Sequence, residues 1–258
     1  MLPSALDHVQ EIAGARQHAL AVFLDYDGTL TPIVSRPEQA VLSDSMRAVL
    51  RALATKLPVA ILSGRDLEDV RRRVGIDAIV YAGSHGFDIA GPRGLRRQTA
   101  TESLPDLGMA EKELHEALDG ISGARVERKR FSIAAHYRNV GENCVPEVQR
   151  LVEAVAARHP ELRRIDGKKV YELLPNVDWH KGKAVLWLLR TLDLEGENVR
   201  PIYIGDDRTD EDAFGVLDLE ERGVGVIVTE HPRQSAACYM LADSSEVELF
   251  LRSLIARA

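Results

Sequence analysis

In the stretch "FLDYDGTLTPI", residues 23–33, two aspartates directly follow an apolar run. The run is "ALAVFL" (19–24), and the aspartates are Asp25 and Asp27. Asp and Gly suit a strand interior poorly, and two carboxylates this close repel each other. We therefore predict a buried strand that ends here, with both carboxylates just beyond its end and a positive charge that compensates them.

Further apolar runs alternate with segments of helical periodicity. Ser43 is the predicted N-cap of one helix, and Gly75 is the predicted end of the next. The later apolar runs are "PVAIL" (58–62), "DAIVYAG" (77–83), "PIYIG" (201–205) and "GVGVIV" (223–228). Continuous apolar strands between helices are typical of a parallel sheet covered on both faces. Such sheets bind ligands beyond the carboxyl ends of their strands.

The middle of the chain has a different pattern. In "FSIAAHYR" (131–138), apolar side chains alternate with polar or small ones, as in a strand with one buried face. Asp166-Gly167 is a strong signal for a hairpin turn. Half-buried strands of this kind indicate an antiparallel sheet. We therefore predict an α+β module, residues 106–175, inserted into an α/β core formed by residues 1–105 and 176–258.

Composition narrows the possible functions. The chain has 258 residues, of which 45% are hydrophobic, and a formal net charge of -7. Because general nucleic-acid binders carry a basic surplus, we expect no nucleic-acid partner. The first twenty residues lack a secretory-signal pattern, and no apolar run reaches ~18 residues. We therefore expect no membrane association and a cytoplasmic protein, and we expect it to be a monomer.

A second group of carboxylates follows the predicted strand at 201–205. The segment "GDDRTDED" (205–212) contributes Asp206, Asp207 and Asp210. This many carboxylates cannot all stay ionised in one cleft without a cation, and hard oxygen ligands suit Mg²⁺. The sequence therefore predicts a magnesium site.

Additional donors surround these carboxylates in the predicted fold. "WHKGKA" (179–184) supplies Lys181 or Lys183, while Thr29 and Ser63 supply hydroxyl groups for anion oxygens. An aspartate, a magnesium ion, a lysine and neutral donors together form a phosphoryl-transfer centre. In such a centre one aspartate can be a covalent nucleophile, and a second can donate a proton to the leaving oxygen.

Four motifs, in their order along the chain, resemble those of the haloacid dehalogenase superfamily. They are "DYDGTL" (25–30), "LSGR" (62–65), "HKGKA" (180–184) and "GDDRTDED" (205–212). Together with "GSHG" (83–86), "HYR" (136–138) and "YELLP" (171–175), nearly the whole chain resembles the trehalose-6-phosphate phosphatase family. The resemblance implies a Rossmann-like core with an inserted α+β cap, and Mg²⁺-dependent hydrolysis of a small-molecule sugar phosphate, trehalose 6-phosphate.

The resemblance also implies roles for individual residues. Asp25 is expected to be the nucleophile, Asp27 the general acid/base, and Lys181 the lysine of the third motif, because that lysine directly precedes a glycine in related motifs. Expected metal ligands are the Asp25 carboxylate, the Asp27 backbone carbonyl and Asp206, supported by Asp207 and Asp210. Expected phosphate contacts are Thr29, Ser63 and Gly64, and expected substrate contacts are Arg65, His85, Glu127, Lys129, His136, Arg138 and Glu172.

Alternative interpretations stay open at this point. Ser63 could cap a helix, Lys183 could be a surface lysine, and His136 and Arg138 could belong to a solvated sheet face. The enzyme could act on another sugar phosphate, such as glucosylglycerol phosphate or mannosylphosphoglycerate. A phosphomutase and a catalytically silent binding module are further alternatives, although a silent module would be expected to lack a motif aspartate or the lysine.

Overall fold

The computed structural model of the chain describes residues 2–14, 18–34, 36–219, 223–231 and 233–257. It divides into two compact units. The first consists of Met1–Arg97 together with Trp179–Ala258, and the second is Gln98–Asp178. The second unit contains the predicted insertion, residues 106–175, and extends beyond it at both ends.

Twelve strands are found in the described residues, in two sheets. They are β1 Ala19–Leu24, β2 Val59–Leu62, β3 Val80–Gly83, β4 Asp88–Ala90, β5 Arg96–Gln98, β6 Arg125–Arg128, β7 Ile133–His136, β8 Leu162–Gly167, β9 Val170–Pro175, β10 Val199–Gly205, β11 Val224–Val228 and β12 Tyr239–Leu241. The larger sheet has the order β12-β11-β10-β1-β2-β3-β4-β5. Its strands are parallel from β12 to β3, whereas β4 is antiparallel to β3. The prediction of a parallel α/β core is confirmed.

Eight α-helices accompany these strands within the described part of the chain. They are α1 Val9–Ala13, α2 Asp44–Ala54, α3 Leu67–Val74, α4 Leu104–Leu118, α5 Val145–Arg158, α6 Lys181–Thr191, α7 Glu211–Leu219 and α8 Ser244–Ile255. The Ser43 hydroxyl accepts a hydrogen bond from the Met46 N–H at the start of α2, as predicted. Gly75 adopts a left-handed conformation that ends α3, also as predicted. Among the residues described, no helix is both long and apolar enough to cross a membrane.

The core of the first unit explains why its strands are apolar throughout. Every residue of β2, β3 and β11 is buried, because elements pack against both faces of the sheet. Helix α2 contributes Met46, Val49 and Leu50 to this core. Burial on both faces places the polar residues that follow each strand at the edge of the sheet.

The second unit has its own antiparallel sheet and its own core. The strand order is β6-β7-β9-β8, and each neighbouring pair is antiparallel. Side chains of α4 and α5, such as Leu114 and Val152, pack against one face together with Ile133 and Leu173 of the sheet. The predicted α+β module is confirmed as a fold. Ile133 and Ala135 face its core as predicted, but Ser132 and Ala134 on the other face of the strand are buried as well.

The predicted turn between β8 and β9 is wrong by two residues. Asp166 and Gly167 pair within the sheet with Tyr171 and Val170. The turn is formed instead by residues 168–169, where Lys169 has a φ of 66°. Burial decides this register, because the pairing turns Tyr171 and other apolar side chains toward the core of the unit.

Candidate active site

The carboxyl ends of four neighbouring parallel strands meet at one edge of the larger sheet. Asp25 follows β1, Asp206 follows β10, Ser63 follows β2 and Ser84 follows β3. Two of these residues still hydrogen-bond to the neighbouring strand. The Asp25 N–H donates to Ile204 O (2.9 Å), and the Ser63 N–H donates to Ala82 O (2.8 Å). The sheet therefore brings together polar residues that are far apart in the sequence.

A buried acidic cluster lies at this edge. Oxygen atoms of Asp25, Asp206 and Asp210 all lie within 4.8 Å of one another, and all three residues are buried. Gly28 has a φ of 87° beside this cluster, and a Cβ at that position would collide with the Asp206 carboxylate. A glycine is therefore needed for the chain to turn so close to Asp206.

Lys181 projects into the acidic cluster from the first turn of α6. It is 2% exposed, and its Nζ donates to Asp25 Oδ1 and to Asp210 Oδ1, both at 2.7 Å. Lys183 is partly exposed. Burial alone would lower the pKa of Lys181, but the nearby Asp210 and Asp25 carboxylates raise it well above its usual value. Lys181 is therefore held as a cation.

Asp210 is saturated with hydrogen bonds. Its Oδ1 accepts from Lys181 and from the Tyr203 hydroxyl, at 2.7 Å each. Its Oδ2 accepts from the backbone N–H groups of Asp206 and Asp207, at 3.0 Å each. This arrangement suits a supporting residue, because a carboxylate with four donors has little remaining capacity to bind a metal ion directly.

The charges of the cluster do not balance. Burial raises the pKa of Asp25 well above its usual value; Lys181 lowers it, while Asp210 and Asp206 raise it further. Asp207 behaves differently, because Lys181 and a hydrogen bond from Thr209 outweigh its burial and lower its pKa to about 2. One lysine thus faces several carboxylates, so an additional cation would favour the ionised form of Asp25.

Asp27 is held by an arginine of the second motif. Arg65 donates from Nε to Asp27 Oδ2 (2.7 Å) and from Nη2 to Asp27 Oδ1 (2.6 Å), while its Nη1 donates to Asp69 Oδ2 (2.9 Å). Both oxygens of the Asp27 carboxyl group accept a hydrogen bond in this bidentate geometry. Arg65 was expected to contact substrate, and that expectation stays a prediction; in the structure its side chain contacts the predicted acid/base.

The hydroxyl and loop residues lie at the same edge of the sheet. Thr29 is fully buried, and its Oγ1 has no hydrogen-bond partner among the described residues. A buried hydroxyl of this kind is costly unless a ligand or water satisfies it. The Ser63 Oγ accepts from the Arg65 N–H (3.1 Å), so it orders the start of its loop, while α3 begins later, after Asp66.

The "GSHG" loop has a strained backbone. Ser84 and His85 have φ values of 47° and 57°, which are uncommon for residues other than glycine. The loop is held against the second motif by two hydrogen bonds, from the Ser84 N–H to Arg65 O (2.7 Å) and from the His85 N–H to Ser63 O (2.9 Å). The His85 ring lies against Gly64, where a Cβ would come within 2.9 Å of Cε1. Strain of this kind often accompanies function.

Five of the predicted substrate contacts lie in the second unit, and four of them form two pairs. Glu127 and His136 are joined at 2.8 Å, and the Lys129 Nζ donates to Glu172 Oε1 at 2.8 Å. Glu127 and Glu172 are both aligned with Ala134 across neighbouring strands, and they therefore share one sheet face. Arg138 donates to Lys168 O (3.0 Å). The pairs form a polar face opposite the core of this unit.

Two residues of these networks were not singled out from the sequence. Ser132 is fully buried and donates to Glu172 Oε1 at 2.5 Å; its only sequence signal was its polar position in the alternation of residues 131–138. The Tyr203 hydroxyl donates to Asp210 Oδ1, and the only indication of this contact in the sequence was a hydroxyl group inside the apolar run "PIYIG".

Comparison with known proteins identifies the family. Residues 23–245 match the family described as trehalose-phosphatase. The chain is 43% identical to probable trehalose-phosphate phosphatase 2 of Oryza sativa subsp. japonica, over 98% of this chain and 72% of that protein. It is 41% identical to trehalose-phosphate phosphatase B of Arabidopsis thaliana, over 98% of this chain and 71% of that protein.

A solved structure leads to the same family. A trehalose-6-phosphate phosphatase related protein superposes with a TM-score of 0.79 and 25% identity, over 92% of this chain and 97% of that one. The motif resemblance is therefore confirmed by sequence and by fold. The chain belongs to the trehalose-phosphatase family.

Proposed function

We propose that this protein hydrolyses trehalose 6-phosphate to trehalose and phosphate through a phosphorylated Asp25, with Mg²⁺ bound at the acidic cluster. The observation that carries the proposal is the placement of Asp25, which lies at the end of β1 in contact with Lys181 and beside Asp206. This arrangement combines a carboxylate nucleophile with positive charge for the transferring group.

The donor set fits a magnesium ion. The Asp25 and Asp206 carboxylates and the Asp27 backbone carbonyl are hard oxygen ligands, and Mg²⁺ commonly binds one or two carboxylates and retains several waters. Asp210 would support the site by accepting hydrogen bonds from the backbone N–H groups of Asp206 and Asp207. A bound Mg²⁺ would neutralise charge on the phosphoryl group as it is transferred.

Each step of the proposed reaction has a residue to perform it. The Asp25 carboxylate attacks phosphorus, which forms an Asp25–phosphate bond and breaks the bond to the sugar oxygen. Asp27 gives its proton to that oxygen and later takes a proton from the attacking water, which releases phosphate and restores Asp25. Thr29 Oγ1 and Lys181 Nζ are the donors proposed for the phosphoryl oxygens.

The contact between Arg65 and Asp27 can be assigned to one half of the proposed reaction. The Arg65 guanidinium donates to both Asp27 oxygens, and such a bidentate contact is stronger with a carboxylate than with a carboxylic acid. In the first step Asp27 must instead carry a proton. We therefore infer that the bidentate pair belongs to the hydrolytic half of the cycle.

The first experiment measures phosphate release from a panel of sugar phosphates by the purified protein with Mg²⁺. We expect trehalose 6-phosphate to be the preferred substrate and Asp25→Asn to abolish turnover, because an amide is isosteric but does not attack phosphorus. Preference for another sugar phosphate would overturn the substrate assignment. Turnover by Asp25→Asn within about tenfold of wild type would overturn the nucleophile assignment.

The second experiment concerns the metal. A chelator should abolish turnover, and added Mg²⁺ should restore it. Asp206→Ala should raise the Mg²⁺ concentration needed for half-maximal rate far more than Asp212→Ala does, because Asp212 lies outside the acidic cluster with its side chain 50% exposed. Equal effects of the two substitutions would mean that Asp206 is not a ligand.

A further inference from the structure

Tyr203 is a buried tyrosine that the proposed reaction does not use. It lies on β10 and is fully buried, with its ring edge-on to Phe214 at a centroid distance of 5.7 Å. Its hydroxyl donates to Asp210 Oδ1 at 2.7 Å. A tyrosine in an otherwise apolar strand therefore directs its one polar group at the carboxylate that holds Lys181.

The contacts of Asp210 show what this hydroxyl can control. Oδ1 is shared between Tyr203 and Lys181, and Oδ2 is shared between the N–H groups of Asp206 and Asp207. A Cβ at Gly205 would collide with the Asp210 carboxyl group, so this carboxylate is packed directly against the end of β10. Its orientation thus determines both the position of Lys181 and the course of the Asp206–Asp207 turn.

We propose that Tyr203 is a positioning residue, whose hydroxyl orients Asp210 so that Lys181 is shared equally with Asp25. The proposal rests on the proposed function, in which Lys181 acts at the phosphoryl group. Without the hydroxyl, Oδ1 would have only Lys181 as a donor and would attract it more strongly, since the negative charge of that oxygen would be less satisfied. Lys181 would then move toward Asp210 and away from Asp25.

The substitution that tests this inference is Tyr203→Phe, which removes one hydroxyl and preserves the ring. Tyr81→Phe is the matched control: Tyr81 is on β3 of the same sheet, is 2% exposed, and its hydroxyl donates to Ile76 O at 2.8 Å, away from the cluster. Tyr203→Phe loses one buried hydrogen bond, whereas Tyr81→Phe loses two, because the Tyr81 hydroxyl also accepts from the Ile76 N–H at 3.2 Å. Both variants should therefore melt at a lower temperature than the wild type.

Catalysis should separate the two variants. We expect Tyr203→Phe to lower kcat roughly tenfold with little change in KM, because a charge-assisted contact that acts mainly in the transition state is weakened. Tyr81→Phe should retain wild-type kcat and KM at temperatures well below its melting point. The comparison should be made with trehalose 6-phosphate and with a small alkyl phosphate, so that an error in the sugar assignment does not obscure the result.

A crystal structure of Tyr203→Phe gives a readout that is independent of turnover. The Lys181 Nζ should still contact Asp210 but should lie farther from Asp25 than the 2.7 Å of the wild type. The inference is overturned if kcat of Tyr203→Phe stays within about twofold of wild type, or if Tyr81→Phe loses kcat equally. It is also overturned if the Lys181–Asp25 distance is unchanged. Failure of the wild type to release phosphate would instead overturn the proposed function, and the crystal structure would still decide the role of Tyr203.

Discussion

At the scale of single residues, Lys181 is a buried cation that depends on two buried carboxylates for its stabilisation. It is buried between Asp25 and Asp210 and is 2.7 Å from each. Burying an ammonium group is costly unless its partners are close and well oriented, and removing one member of such a group leaves the others uncompensated. The lysine therefore has a structural effect as well as its proposed chemical one.

This environment predicts the effect of Lys181→Met. We expect loss of turnover and a free energy of unfolding about 3–5 kcal/mol lower, because two buried carboxylates lose their cation. Lys183→Met, two residues along the same helix, is the control and should change the unfolding free energy by only about 0.5 kcal/mol. Denaturant unfolding and phosphate release measure both. Equal loss of activity in the two variants would contradict the assignment of Lys181.

Arg65 has two possible roles at this scale, since it contacts Asp27 and was also predicted to contact substrate. We expect Arg65→Lys to lower catalytic efficiency by a similar factor on trehalose 6-phosphate and on a small alkyl phosphate, because a lysine cannot form the bidentate contact that orients the acid/base. Kinetics on both substrates measure this. A loss confined to trehalose 6-phosphate would mean that Arg65 recognises the sugar.

At the scale of helices and turns, the same residue type has opposite roles at different positions. Gly75 ends α3 with a φ of 64°, which a residue with a Cβ adopts only with strain. Gly108 lies inside α4, and a Cβ there would have no neighbour within 4 Å. The first glycine is required by its conformation, whereas the second weakens its helix.

The two glycines therefore predict changes of opposite sign. Gly108→Ala should raise the free energy of unfolding by about 0.5–1 kcal/mol, since alanine loses less backbone entropy on folding. Gly75→Ala should lower it by about 1 kcal/mol. Denaturant titration measures both changes, and turnover should stay unchanged in both variants. Stabilisation by Gly75→Ala would show that the left-handed end of α3 is not retained in solution.

At the scale of the whole molecule, the chain divides its residue types between two units with separate cores. The acidic cluster and Lys181 belong to the unit made of Met1–Arg97 and Trp179–Ala258. The paired side chains Glu127–His136 and Lys129–Glu172 belong to Gln98–Asp178. We infer that the first unit performs the chemistry and the second selects the sugar.

This division predicts a substrate-dependent effect of Glu172→Gln. The substitution keeps the size of the side chain but weakens the charged hydrogen bonds that Glu172 makes or offers. A hydrogen bond to a charged group contributes roughly 1.5–3 kcal/mol. We therefore expect catalytic efficiency on trehalose 6-phosphate to fall roughly tenfold to a hundredfold, and efficiency on a small alkyl phosphate to stay nearly constant.

The control for this prediction is Glu153→Gln on α5. Like Glu172, Glu153 accepts a hydrogen bond from a basic side chain, in this case Arg164 at 2.7 Å, but the Glu153 side chain is 51% exposed. This variant should match the wild type on both substrates. Parallel loss of both activities in Glu172→Gln, or no loss at all, would contradict the division of labour between the units.

Local patterns in the sequence predicted five of the parallel strands, the start of one helix and the end of another. Apolar runs predicted the parallel strands, Ser43 and Gly75 marked helix ends, and the four motifs placed Asp25, Lys181 and Asp206 after strands or at a helix start. These features are readable because burial periodicity and capping act between residues only a few positions apart.

Contacts between side chains that are distant in the sequence depend on the tertiary structure. Arg65 contacts Asp27 across 38 positions, because β1 and β2 are neighbours and end side by side. Lys181 contacts Asp25 across 156 positions, because α6 begins beside the end of β1. The register of the β8–β9 hairpin was likewise decided by which side chains the core buries, against a strong local signal at Asp166-Gly167. Such contacts depend on strand order and on packing between distant segments, and no local pattern in the sequence specifies either.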